Sequence, residues 1–327
     1  MNRDDLQVGS IMRSASFVFS ALLLVATSLV AAEPAPSAPN GPPVSLECSP
    51  ARIDLTGPRD LQRIGVLGQF GDNRRWELTR SAKYVSANTK VAEVDAAGIV
   101  RPVSDGSTTI RVDVQGRSAD IPVVVKQAKR DVPTSFVREV MPVLTKAGCN
   151  QGSCHGAALG RGGFRLSLLG FDAAFDHSQI VQSAEGRRVV VSDPERSILL
   201  LKPTLQMEHG GGERLKRFTR EYETLRRWLE DGAPEPAAKD AQVASLEVWP
   251  AKRIMTANET QQLFVTAIWD DGRREDVTAT ALYDTLNDSI ASVTPQGLVT
   301  AKARGETHIM IRFGGQATVA EVTLPFA

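Results

Sequence analysis

Ser45-Leu46-Glu47-Cys48-Ser49-Pro50-Ala51-Arg52 returns later in the chain as Ser245-Leu246-Glu247-Val248-Trp249-Pro250-Ala251-Lys252. Downstream of each, Tyr84, Asn88, Val91, Ala92, Val94, Gly98 and Val100 match Tyr283, Asn287, Ile290, Ala291, Val293, Gly297 and Val299 at one fixed offset. Gly106, Ile110 and Gly116 continue the match to Gly305, Ile309 and Gly315. A constant offset over such a span marks residues 45–127 and 244–327 as two copies of one module. Both copies read as strands. Ile110-Arg-Val-Asp-Val and Ile309-Met-Ile-Arg-Phe alternate apolar and polar residues, and turn signals such as Asp270-Asp271-Gly272 punctuate them. Many short strands at regular spacing predict an antiparallel β-sandwich for each copy.

The run Asp271-Gly-Arg-Arg-Glu-Asp-Val-Thr278, followed by Ile290-Ala-Ser-Val and Gly297-Leu-Val-Thr-Ala, resembles bacterial immunoglobulin-like domains of group 2. The resemblance covers nearly all of the second copy. The first is more diverged, with Arg75-Trp76-Glu77-Leu78-Thr79 where the second has Arg274-Glu275-Asp276-Val277-Thr278. It implies extracytoplasmic structural or adhesive modules and carries over no catalytic residue. Trp76, Trp249, Trp269, Tyr84 and Tyr283 read as core or edge packing. Cys48, aligned with Val248, reads as a small buried hydrophobe, and His308 as a surface or edge residue.

An apolar run from Phe17 to Val30 follows Arg13 and precedes Ala31-Ala32-Glu33. It predicts a signal peptide over 1–32, with Val30 and Ala32 at the small-residue cleavage positions. Met12-Arg13 makes a tidier start than Met1 with Asp4 and Asp5. The run falls short of the roughly twenty residues of a membrane span, so membrane contact is expected only through an uncleaved leader. Residues 33–44 form a proline-rich, semi-rigid linker. Lysine plus arginine and aspartate plus glutamate both number 38, so no global field points to nucleic acid. Three cysteines are too few for a disulfide-stapled scaffold.

Residues 133–236 change character. Phe136-Val-Arg-Glu-Val-Met-Pro-Val-Leu144 has helical spacing behind Thr134 or Ser135 as cap. Phe164 to Leu168 alternates like a short strand, and a short helix opens at Ser192–Ser197 and ends near Leu201. Tyr222, Leu225, Trp228 and Leu229 form one face of a last helix, capped by Thr219 and stopped by Gly232 and Pro234. Between the first two elements lies Cys149-Asn150-Gln151-Gly152-Ser153-Cys154-His155. The spacing approaches the Cys-x-x-Cys-His that attaches c-type haem, with four residues instead of two between the cysteines. Three readings stay open for it: covalent haem, a Cys149–Cys154 disulfide in an oxidising compartment, and a Cys2His2 zinc site with His155 and His209. Adjacency of Cys154 and His155 makes the last awkward. No histidine–carboxylate constellation accompanies the thiols, so a catalytic cysteine, and enzymatic activity at large, are not expected.

The middle segment resembles the cytochrome c-like domains of large exported planctomycete-type proteins. The matching residues are Cys149-Asn150-x-Gly152-x-Cys154-His155-Gly156, Gly163-Phe164-Arg165-Leu166-Ser167-Leu168, Asp193-Pro194-Glu195-x-Ser197, His209-Gly210-Gly211-Gly212 and Leu225-Arg-Arg-Trp228-Leu-x-x-Gly232-Ala233-Pro234. The resemblance implies one covalent haem c held by Cys149 and Cys154, with His155 as proximal iron ligand. His209 is the distal candidate, Met207 the alternative, and His177, read as a solvated loop residue, a weaker one. It also implies relatives that continue into large C-terminal domains. The expected fold is therefore multidomain, two antiparallel β-sandwich (Ig-like) domains flanking a mainly α cytochrome c-like domain. The expected function is one-electron transfer at the cell envelope, in the periplasm or at the cell surface. The redox partner is unspecified, and an envelope protein or carbohydrate is the expected ligand of the sandwiches. The alternative is a structural or adhesive surface protein with a Cys149–Cys154 disulfide in place of haem.

Overall fold

The computed structural model describes residues 36, 39, 41–71, 73–237 and 240–326. The expected leader over 1–32 and part of the expected linker lie outside these.

Ten strands cover the first copy: β1 Ser45–Ser49, β2 Ile53–Thr56, β3 Gln62–Arg63, β4 Gly65–Gln69, β5 Arg75–Glu77, β6 Lys83–Ser86, β7 Ala92–Val94, β8 Ile99–Pro102, β9 Gly106–Val114 and β10 Arg117–Lys126. They form three sheets, ordered β1-β4-β5, β2-β10-β9-β6 and β3-β8-β7. The second copy repeats the pattern with β11 Val243–Trp249, β12 Lys252–Ile254, β13 Thr260–Gln262, β14 Phe264–Trp269, β15 Arg274–Asp276, β16 Leu282–Thr285, β17 Ala291–Val293, β18 Leu298–Ala301, β19 Gly305–Phe313 and β20 Gln316–Leu324. Its sheets run β11-β14-β15, β12-β20-β19-β16 and β13-β18-β17. The two halves correspond strand for strand. One detail departs from expectation, because neither module is wholly antiparallel: β2 lies parallel to β10 and β12 parallel to β20.

The alternation read from sequence sorts the side chains. Ile110, Val112 and Val114 of β9 and Ile121, Val123 and Val125 of β10 point into the first core; Ile309, Ile311 and Phe313 with Ala320, Val322 and Leu324 do the same in the second. Matched polar residues have matched tasks. Tyr84 and Tyr283 each donate their hydroxyl to a threonine carbonyl, that of Thr79 at 2.8 Å and Thr278 at 2.9 Å. Gly98 and Gly297 sit under those rings at positive φ, where a Cβ would meet the tyrosine at 2.8 Å in both copies. Asn88 and Asn287 accept from the backbone N–H two residues on, an Asx turn.

Between the modules, a π-turn over Phe136–Val140 runs into α1 Met141–Lys146; further on come α2 Ala173–Val181, α3 Ile198–Leu201 and α4 Arg220–Glu230, with single 3-10 turns at Leu168–Gly170 and Pro194–Arg196. Ser135 caps the first, accepting from Arg138 N, while Glu139 accepts in return from Ser135 N. Thr219 caps α4 as expected. Helix α2 was not legible; Asp172 caps it, and its buried Asp176 accepts from both Ser167 N and Ser167 Oγ. The expected strand at 164–168 reduces to one bridge between Arg161 and Phe164.

The expectation of a mainly α cytochrome c-like domain is corrected. Strands dominate the described chain, and the middle segment is mostly loop around short helices. Gly160, Gly162, Gly163 and Gly170 all take positive φ, a conformation that no right-handed helix accommodates. What packs in this segment is a small core of Phe136, Val140, Leu144, Leu200, Tyr222, Leu225, Trp228 and Leu229.

The three parts grip one another. Trp249 lies against Gly65 and donates its indole N–H to Glu47 at 3.0 Å. Arg253 donates to the Arg75 carbonyl at 3.0 Å, and Asp276 accepts from both the backbone and the guanidinium of Arg63. Arg59 pairs with Glu139 at 2.8 Å and Arg138 with Glu275 at 2.9 Å, while Lys146 donates to the carbonyls of Ala281 and Pro295. A Cβ on Gly65 would meet the Trp249 ring at 2.4 Å and the Phe264 ring at 2.6 Å. Gly65→Ala is therefore expected to lower stability by about 1–3 kcal/mol through overpacking. In a Trp249→Ala background only the part due to that ring should vanish, the Phe264 ring still being in the way, and urea denaturation of the four-member cycle measures it.

Candidate functional site

The chain leaving α1 turns sharply. Gly148 takes φ +79°, Cys149 N donates to Leu144 O at 2.9 Å, and His155 N donates back to Cys149 O at 3.0 Å. A Cβ on Gly156 would lie 2.1 Å from Asn150 O, so this compact loop admits only glycine there. The loop brings Cys149, Cys154 and His155 to the wall of a cavity of about 630 Å³. Phe164 and Leu166 line it from the following loop, Leu199 from α3, Leu225 from α4, and His209 with Gly210 and Gly211 from the glycine-rich turn.

The two imidazoles face the same space, with ring centroids 6.4 Å apart and planes 20° from parallel. His155 Nδ1 lies 3.0 Å from Phe164 O, and His209 Nδ1 lies 2.8 Å from Gly212 O. A carbonyl can only accept, so each Nδ1 carries a proton. Burial holds the His155 pKa below its ordinary value, with His209 adding to the shift, so the ring stays neutral. Burial likewise pushes the Cys149 thiol up to about 11. Such a thiol is protonated and a poor nucleophile. No disulfide joins Cys149 and Cys154.

Five cations, Arg161, Arg187, Arg188, Lys202 and Arg214, line the same cavity, and no carboxylate does among the described residues. Arg188 has a framework role: it donates to Gln179 O, Ser183 O and Gly163 O and lies over the Phe164 ring. Sequence reasoning overlooked this basic rim. Its signal was the Arg187-Arg188 pair and the basic run from Arg214, both inside a segment read only for iron ligands.

The structure unites Cys149, Cys154, His155 and His209 and leaves two other residues apart. Met207 does not line the cavity and is 39% exposed. His177, expected in a solvated loop, is buried in α2; its Nε2 lies 2.9 Å from Ala233 O and its ring meets Phe136 and Trp228 edge-on. It belongs to the core. Cys48 packs against the first sandwich core, as expected of a small hydrophobe.

No group of three or more His, Cys, Asp or Glu side chains that could hold a metal ion occurs among the described residues. This corrects the metal-binding expectation and with it the Cys2His2 zinc reading. No family model matches the chain, and no curated protein matches it. Among solved structures, domains 5–6 of the S-layer protein SbsC match at 13% identity over 86% of this chain and 98% of that one, with a TM-score of 0.34. SbsC domains 4–9 match at 12% identity over 86% of this chain and 31% of that one, TM-score 0.33. Extracellular domains 3–5 of Drosophila OTK match at 9% identity over 86% and 61%, TM-score 0.17. At these scores the likeness carries no argument about this chain. The expected membership of the cytochrome c-like family, with group 2 immunoglobulin-like flanks, is corrected by the mostly β chain and the lack of a metal-holding group among the described residues, and the expectation of electron transfer falls with it.

Proposed function

We propose that this chain is an exported structural protein of the cell surface. Its two matched sandwiches and the loop-rich segment between them act as one stiff body. The observation that supports this is the gripping of the parts. Trp249 against Gly65, Arg253 on the Arg75 carbonyl and Asp276 on Arg63 join the sandwiches, and Lys146 and Arg138 fasten the middle segment to the second. Separate beads on a string would need none of these contacts. The apolar run at Phe17–Val30 supports export. Protease treatment of intact cells producing the tagged full chain is expected to remove it, and the purified chain is expected to unfold in one cooperative transition. A cytosolic, protease-protected chain would overturn the reading, as would independent unfolding of the parts.

A second reading concerns the cofactor alone and is favoured by the cavity wall. Cys149 and Cys154 would hold haem c by thioether bonds, His155 and His209 would be its iron ligands, and Arg161 and Arg214 would meet its carboxylates. Each histidine donating its other nitrogen to a backbone carbonyl is the arrangement that orients an imidazole ligand. Production beside haem-attachment machinery, followed by an alkaline pyridine spectrum, is expected to show a c-type band that Cys149→Ser and Cys154→Ser together abolish. A folded, colourless product with both thiols titratable would eliminate the haem and leave the structural reading intact.

A further inference from the structure

The thiol-lined cavity is amphipathic in a way that neither its cysteines nor its histidines require. Leu144, Leu166, Leu199, Leu215 and Leu225 are buried in its wall, and the half-buried Phe164 ring lies beside them. At about 630 Å³ this apolar space matches the size of small-molecule sites, on the order of 300–1,000 Å³. Four exposed cations, Arg161, Arg187, Lys202 and Arg214, line its edge. Among the described residues no ion pair engages any of the four. Lys202 Nζ donates to Glu208 O at 3.2 Å and Arg214 Nε to Gly211 O at 2.8 Å, while the Arg161 and Arg187 guanidinium groups donate to no acceptor there. A carbonyl satisfies a donor and leaves its charge unneutralised. Elsewhere on the surface, Arg52, Arg101, Arg111 and Arg312 each hold an aspartate.

Unpaired cations around one apolar space, with no carboxylate lining it among the described residues, select an anion that carries an apolar body. We propose that this cavity binds a single-chain anionic lipid, its hydrocarbon chain among the leucines and its head at the Arg161, Arg187, Lys202 and Arg214 edge. Chain burial supplies the affinity, about fourfold per buried methylene. The cations supply the preference for a charged head. The proposal goes beyond the structural reading and does not rest on haem, which would fill the same space.

The test is calorimetric titration of the full chain, produced colourless without haem-attachment machinery. The probes are hexanoate, octanoate, decanoate and decyl phosphate, with decanol as the neutral match. Affinity should rise about fourfold per added methylene along the carboxylates. Decanoate and decyl phosphate should both bind severalfold more tightly than decanol, and the tighter of the two identifies the head as that of a free fatty acid or of a phospholipid derivative. High salt should shrink that preference by screening the exposed charges. Arg161→Gln combined with Arg187→Gln should cut it by about twofold or more while leaving decanol affinity and the melting temperature unchanged, a split that a merely structural role would not produce. Bound decanoate should also slow thiol labelling of Cys149 and Cys154, which share the cavity, and not of Cys48, which packs in the first sandwich. Equal binding of decanoate and decanol, affinity indifferent to chain length, or unslowed labelling of the two cavity thiols overturns the proposal. Each result is read on the colourless chain, so it stands apart from whether haem attaches when the machinery is supplied.

Discussion

Trp228→Ala is expected to remove about 3–5 kcal/mol of stability, the cost of truncating a large, fully buried aromatic. Trp228 is 0% exposed and sits at the centre of the middle segment. Its ring centroid lies 5.3 Å from that of Phe136 and 5.9 Å from that of His177, and its indole N–H donates to Pro234 O at 3.1 Å. That last bond ties the end of α4 to the chain leaving it. The core around it is small, so few neighbours are available to collapse into the hole. Denaturant titration checks the magnitude. Because Leu225, on the same helix, lines the thiol cavity, labelling of Cys149 and Cys154 by a thiol reagent should also accelerate. A loss under about 1 kcal/mol would mean that the segment does not depend on this core.

Arg253→Met should cost a similar amount, about 3–5 kcal/mol, for an electrostatic reason. It strands the Glu259 carboxylate, which is 5% exposed, with only Thr256 to donate to it. It also removes the donor to the Arg75 carbonyl, one of the contacts that join the two sandwiches. Adding Glu259→Leu should recover most of the loss, since replacing a whole buried pair by apolar groups is often close to neutral. The double-mutant cycle, measured by urea unfolding, separates the stranded charge from the lost junction contact. Full additivity of the two single variants would show that the pair is not coupled as the structure has it.

The modules were legible because their rules are local. Alternation along Ile110–Val114 and Ile309–Phe313 sorts side chains to the two faces of a strand whatever the strand pairs with. The matched Tyr84–Gly98 and Tyr283–Gly297 pairs preserve one packing contact in both copies. Helix α4 was legible through its apolar face and its Thr219 cap. The middle segment was misjudged because its motif residues were read through a family pattern. Glycine-rich connections there take positive φ and prevent the helical continuity that the pattern implied.

By itself, then, the sequence determined the repeat, the strand faces, the caps at Ser135 and Thr219 and the closeness of Cys149, Cys154 and His155, all consequences of spacing along the backbone. Tertiary structure alone decided the rest. It placed His209 across the cavity from His155, moved His177 into the core, gathered the basic rim, and left Arg253 Nε without an acceptor at the junction. Those outcomes depend on which distant segments pack together, and a linear pattern carries no information about a partner contributed by another part of the chain until burial forces the two into contact.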